Sequence, residues 1–354
     1  MILMALPACS GLAPRAHAAS FDCGRAKTPM EKAICSSPAS SQADEAMSAA
    51  YAKALAGLSP EGRNTLRASQ LTFLNFAATR CQPGKRPLDA LEWDYFKKKP
   101  NYRVVAECVA ATFTERTKVL DRAVVSIGGR VFLTTRHDRV RAARPDDPTA
   151  MPDAVHEERT TPQIDGAKSK AERDWNAAMA AWAIEGVKDN DLESGDYRFE
   201  RDERDAAADV EVVSASPDLI VASLGISSYA KGAAHPQSWT QSRIWSLKLG
   251  RALKAEDIFR SDRPWRNDVI ARVQAHLKGY NDDGPTKLKV GELPPIEKWR
   301  LTKAGIVFVF DPYALGAYVD AGESLAPWSE LKPYLRSDLP FDPAQIEDSP
   351  FKAG

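Results

Sequence analysis

Four cysteines stand in the first third of the chain: Cys23, Cys35, Cys81 and Cys108. A fifth, Cys9, lies in the leading apolar stretch. Thiols can ligate a metal, exchange with other thiols, or form fixed bridges. Zinc and redox sites are ordinarily built on a C-x-x-C pair, and none is present. No histidine lies between Cys23 and Cys108. What remains is a structural disulfide framework in an oxidising compartment. Four cysteines allow three connectivities. Cys23–Cys35 with Cys81–Cys108 is favoured, because each pair then brackets one helical or loop segment.

The other reactive residues point away from catalysis. The sequence holds no G-x-S-x-G elbow, no H-E-x-x-H and no phosphate loop. His156-Glu157-Glu158-Arg159-Thr160 lacks a second histidine. The 48 acidic residues offer too many pairs to select a glycosidase-type couple. Asn281-Asp282-Asp283-Gly284 lacks the alternating ligands of a calcium loop and reads as a turn. His235, after Gly-Ala-Ala, and Asp311-Pro312-Tyr313 read first as turn residues. The expectation is a protein that is not an enzyme and carries no cofactor or metal.

These residues need a scaffold, and composition divides it. The 354 residues balance 48 basic against 48 acidic side chains, with 27% charged and 44% hydrophobic. That is a globular composition, and no apolar run is long enough to span a bilayer. The zero total hides a split. Residues 20–126 carry 16 basic and 11 acidic residues, whereas 127–354 carry 31 and 37. A basic front and an acidic back indicate two domains. No nucleic-acid partner is expected. Ahead of them, 1–19 reads as a signal peptide, with an A-x-A site at Ala16-His17-Ala18 and cutting after Ala18. Lipid anchoring through Cys9 is not expected.

Helical signals fill 20–124. Thr28-Pro29-Met30-Glu31 is a capped helix start. Ala43, Ala46, Met47, Ala50, Tyr51, Ala54 and Leu58 share one helical face, and Ser59-Pro60-Glu61 restarts the pattern. Val105, Val109, Thr112, Val119 and Leu120 define a last helix. The Lys97-Lys98-Lys99 run beside Trp93, Tyr95 and Phe96 reads as a solvated loop. The expected first domain is small, all-α and stapled by disulfides.

These residues resemble the LprI-type lysozyme inhibitor domain. The likeness rests on Phe21-Asp22-Cys23, Glu31-Lys32-Ala33-Ile34-Cys35, Asp44 and Tyr51-Ala52-Lys53-Ala54-Leu55. It continues through Gln70, Cys81, Cys108 and Thr112-Phe113-Thr114-Glu115-Arg116. Arg80 departs from the pattern by standing directly before Cys81. The resemblance implies an exported helical domain and, for some relatives, inhibition of lysozyme.

From Gly128-Gly129 onward strands predominate. They are expected at 130–135, 197–200, 210–213, 219–229, 243–249, 299–301 and 306–310, with helices over 167–184 and 265–280. Residues 141–153 read as an exposed loop. The order argues an α+β domain over 127–354 with a mostly antiparallel sheet. Five segments carry a second resemblance: Tyr229-Ala230-Lys231-Gly232-Ala233-Ala234-His235-Pro236, Trp245 to Leu253, Glu256-Asp257-Ile258-Phe259, Gly305 to Tyr318, and Pro327-Trp328-Ser329-Glu330-Leu331. They are similar to the extracellular domain of the RsiV-type lysozyme-sensing anti-sigma factor. That likeness makes Tyr229, His235, Asp311 and Tyr313 the candidate partner-binding residues. Together the two resemblances imply a periplasmic or secreted protein whose partner is lysozyme or a related muramidase. The alternative is a non-catalytic module that holds peptidoglycan or an envelope protein.

Overall fold

The computed structural model describes residues 19–82, 102–142, 154–188, 204–230, 236–276, 279–281, 284–286, 293–311 and 322–351. The signal segment, Cys9, the Lys97-Lys98-Lys99 run, the strand expected at 197–200, His235 and Tyr313 lie outside them. The chain divides into two compact units. One is Met1–Lys53 with Ala77–Leu120, the other Ala54–Phe76 with Asp121–Gly354.

Helices dominate the first unit. α1 (Pro29–Cys35) begins at the anticipated cap, where Thr28 Oγ1 accepts from Glu31 N at 3.2 Å and Glu31 Oε2 accepts from Thr28 N at 2.8 Å. α2 (Pro38–Ala56), α3 (Pro60–Cys81) and α4 (Tyr102–Asp121) follow. Buried side chains on α2 are mostly small: Ala43, Met47, Ala50 and Ala54. α4 contributes Val105, Val109, Phe113 and Leu120. Two disulfides, Cys23–Cys35 and Cys81–Cys108, close this unit in the favoured pairing. Alanine buries little area, so the bridges supply constraint that the core lacks.

α3 does not stay in one unit. Its residues up to Phe76 group with the sheet, and Ala77 to Cys81 with the other helices. The reason is visible at its start. Ser59 caps the helix, and Asp165 accepts from Ser59 N at 2.6 Å and Ser59 Oγ at 2.5 Å. Further along, Ser69 Oγ donates to the Arg136 carbonyl at 3.0 Å.

The second unit is built on an eight-stranded sheet. β1 (Val124–Ile127), β2 (Arg130–Ala142) and β3 (Ala154–Ile164) run antiparallel. α5 (Lys170–Lys188) crosses over to β4 (Arg204–Ala215), which pairs parallel with β3. β5 (Leu219–Ala230), β6 (Gln237–Ser246) and β7 (Arg251–Ala252) continue the sheet antiparallel, in the order β1 to β7. α6 (Ala255–Ile258), α7 (Trp265–His276), β8 (Gly279–Asn281) and β9 (Gly284–Thr286) follow. β10 (Trp299–Leu301), β11 (Gly305–Phe310) and β12 (Gly322–Pro327) form a three-stranded sheet. α8 (Trp328–Leu331) and β13 (Glu347–Asp348), which pairs with β4, complete the unit. The fold is therefore a disulfide-stapled helical region followed by an α+β region with a mostly antiparallel sheet.

Gly128 and Gly129, at φ 57° and 74°, make the β1–β2 turn. A two-residue hairpin of this type needs positive φ at both positions, which glycine adopts without strain. β5 reads Leu-Ile-Val-Ala-Ser-Leu because both of its faces are covered. Ile220, Ala222 and Leu224 join Trp175, Met179 and Trp182 of α5 in one apolar cluster. Leu219 and Val221 join Trp265, Trp299 and Phe308 in another.

Several expectations differ from the structure; β2 runs to Ala142, inside the loop expected over 141–153, and β12 had no strand assigned. Residues 154–164 had no strand assigned, yet they form β3. Its polar run Glu157-Glu158-Arg159-Thr160-Thr161 hides the usual alternation. The helix expected over 265–280 ends at His276, and Gly279 opens a strand.

Candidate functional site

Strand register gathers the charged side chains that sequence spacing left scattered. Arg136 pairs with Thr160, Asp138 with Glu158, and Val140 with His156 across β2 and β3. Thr160 pairs with Asp209 across β3 and β4. Cross-strand partners share a face, so Arg136, Asp138, His156, Glu158, Asp209 and Glu211 line one side of the sheet. Their neighbours Ala208 and Val210 point the other way, into the cluster beneath α5.

Asp138 is the buried centre, with its side chain 2% exposed. His156 Nε2 lies 3.1 Å from Asp138 Oδ1. Arg136 donates to the same carboxylate at 2.9–3.2 Å and reaches Glu158 Oε2 at 2.5 Å. Phe76 of α3 stacks on the His156 ring, with centroids 5.3 Å apart and planes 17° from parallel. Asp205 Oδ1 accepts from the His156 backbone N–H at 2.7 Å.

The environment separates the carboxylates. Burial alone would raise Asp138, but hydrogen bonds from His156 and Arg136, with their charges, hold it below the usual aspartate value. Burial dominates at Glu158; with Asp209 and Asp138 nearby, its pKa is pushed up to about 7 despite Arg136. Asp209 is likewise raised, by burial and by Asp138. Arg136 loses stability as a cation through burial, but Asp138 and Glu158 more than restore it.

Carboxylates held apart in pKa are the pattern of an acid–base couple. Here both bind one guanidinium, and a ring of α3 covers the histidine. Asp138, His156 and Glu158 also bring three ligand atoms within 4.8 Å of one another, a spacing that suits a divalent cation. Arg136 already places a positive charge between the two carboxylates. The geometry describes an ion network that seats α3 on the sheet. No spaced motif flagged it. A period-two signal existed on β4, where Val210 separates Asp209 and Glu211; on β2 and β3 the intervening His137, Glu157 and Arg159 are polar too and conceal it.

The candidate partner-binding residues lie elsewhere on this unit. Tyr229 is half-buried near the end of β5, opposite Asp205. Asp311 follows β11 and pairs with Lys298 Nζ at 2.5 Å. Lys298 also donates to the Thr240 carbonyl on β6. His235 and Tyr313 are outside the described residues.

Two solved structures are similar to this chain. One is a DUF3298 family member from Bacteroides fragilis, at 18% identity and TM-score 0.47, covering 60% of this chain and 96% of that one. Another is a DUF3298 family protein from Pseudomonas aeruginosa, at 11% identity and TM-score 0.41, covering 58% and 95%. No curated protein matches the chain. Residues 23–120, the disulfide-stapled helices, match the family model described as lysozyme inhibitor LprI.

Proposed function

We propose that this is an exported protein that binds lysozyme or a related muramidase and inhibits it by occluding its cleft. The observation that carries the reading is the match of residues 23–120 to the lysozyme inhibitor LprI model. Both disulfides fall within that span, which suits an oxidising compartment such as the periplasm or the exterior. No helix among the described residues is long and apolar enough to cross a membrane. An inhibitor of this kind needs no catalytic group: filling the enzyme's cleft excludes the glycan.

The second unit supports the same partner. Its resemblance to a lysozyme-sensing extracellular domain is independent of the first. Residues 127–354 carry 37 acidic against 31 basic side chains. Such a surface attracts a basic lysozyme and speeds encounter, most strongly at low salt. Tyr229, His235, Asp311 and Tyr313 are the contact residues this reading favours. A cell-wall lysis assay with mature protein tests it. Protection of the wall is expected, together with calorimetric binding at low salt. Absence of both overturns the proposal.

A further inference from the structure

The helical unit holds a buried carboxylate without a cation beside it. Asp44 lies on α2 and is 5% exposed. Its one polar contact among the described residues is the Ser20 backbone N–H, which donates to Oδ2 at 2.7 Å. Asp44 stands past the first turn of α2, so the free N–H groups at the helix start do not serve it. Among the described residues it belongs to no group of three side chains that could ligate a metal ion. A single neutral donor does not offset the cost of keeping a carboxylate away from water.

The segment that reaches Asp44 is fixed in place. Ala19 is buried, at 7% exposure. Asp22 Oδ1 accepts from Gly24 N at 2.9 Å, and Cys23 is bridged to Cys35 at the end of α1. The same segment holds the expected start of the mature chain, because Ala16-His17-Ala18 places the cut after Ala18. Three covalent bonds separate the nitrogens of Ala19 and Ser20, so they lie about 3 Å apart. The Ala19 nitrogen is then no more than about 6 Å from Asp44 Oδ2, close enough for an opposite charge to matter.

Before cutting, that nitrogen is a neutral amide. Hydrolysis by a signal peptidase breaks the C–N bond between Ala18 and Ala19. The hydroxyl of water goes to the Ala18 carbonyl carbon and its hydrogen to the Ala19 nitrogen. The proton given up by the new Ala18 carboxyl balances the one that makes the amine an ammonium.

We propose that removal of the leader supplies the counter-ion that the helical unit lacks: the new α-ammonium of Ala19 pairs with Asp44. The cut is then a folding step as well as an address label. The uncut chain keeps a buried charge unpaired and its helical unit is less stable, whereas the mature chain is locked at its first residue. The inference rests on the export part of the functional reading above and is independent of lysozyme.

The test begins with the intact mass of the exported protein, which should correspond to residues 19–354. A mature chain that starts elsewhere overturns the inference, and a chain that keeps its leader overturns the export reading with it. Four purified chains then form a cycle: the mature protein, the same protein with Gly-Ser-Gly ahead of Ala19, Asp44→Asn, and the extended Asp44→Asn. The extension turns the Ala19 nitrogen back into an amide and moves the charge about 10 Å along the chain. Asparagine keeps an acceptor for the Ser20 N–H and loses only the charge. In thermal melts followed by helical circular dichroism, the extension should lower the midpoint of the parent by about 4 °C or more and that of Asp44→Asn by less than about 1 °C. Equal loss in both backgrounds, or none in the parent, overturns the pair while export stands. Should Asp44→Asn fail to fold, titration of the carbon-13-methylated α-amine decides. A higher pKa in the mature chain than in the extended chain supports the pair, and an equal or lower one overturns it. Lysozyme binding enters no arm of the test.

Discussion

In the first unit α2 buries Ala43, Met47 and Ala50, and two disulfides tie its segments together. In the second, Trp175, Met179 and Phe132 fill one apolar cluster and Trp265, Trp299 and Phe308 another, and no cysteine occurs after Cys108. Small buried side chains remove little area from water, whereas each large aromatic contributes several times as much. Covalent constraint and aromatic burial are thus alternative answers to one entropic cost. The charged network of Arg136, Asp138, His156 and Glu158 also lies in this second unit, with Asp138 at its buried centre.

The largest expected effect breaks the aromatic side of this contrast. Trp299 is 1% exposed, packs edge-on against Phe259, Trp265 and Phe308, and donates to the Pro294 carbonyl at 2.8 Å. Trp299→Ala should cost about 3–5 kcal/mol. Seven of the eight tryptophans lie after residue 120, so tryptophan emission in urea reads the loss directly.

Reduction breaks the other side. Opening Cys81–Cys108, whose cysteines are 27 residues apart, should cost about 3.5 kcal/mol in the chain-entropy account. Helical circular dichroism should melt earlier while tryptophan emission keeps its midpoint. Coincident loss of both signals would show that the shared helix α3 couples the units.

The buried network gives a pH dependence of its own. The folded-state pKa of Glu158 is raised from 4.5 to about 7. Its contribution is therefore complete below about pH 4.5 and lost as pH rises through about 7. The Glu158 side chain is 19% exposed, so the swing should be on the order of 2 kcal/mol. Glu158→Gln should flatten urea midpoints measured between pH 5 and 8.

The smallest effect sharpens the role of α3. Asp165→Ala removes the acceptor of both Ser59 bonds. A loss of about 1–2 kcal/mol is expected, with faster amide exchange confined to the first turn of α3.

Legibility followed how local each signal is. The cap at Thr28, the restart at Pro60 and the apolar run of β5 are written in adjacent residues and lie where the sequence puts them; Gly128-Gly129, expected as a boundary, makes the β1–β2 turn. β3 was missed because Glu157 to Thr161 is polar on both faces: Glu158 and Thr160 meet the charged layer, and Glu157, Arg159 and Thr161 on the opposite face are polar as well. The functional candidates show the same limit. Tyr229 and Asp311 came from family-like segments, whereas Arg136, Asp138, His156 and Glu158 have ordinary spacing and meet only through strand pairing.

Residue type and short-range pattern by themselves determined the two-part fold class, the confinement of the cysteines to the helical part and the resemblance of 23–120 to an inhibitor family. Those depend on interactions a few residues apart. Only the tertiary structure decided that 54–76 of the helical stretch packs with the sheet and that Arg136, Asp138, His156 and Glu158, set on two strands, share one network around the buried Asp138. Register and packing across tens of residues set these features, and no local sequence pattern encodes which strand lies beside which.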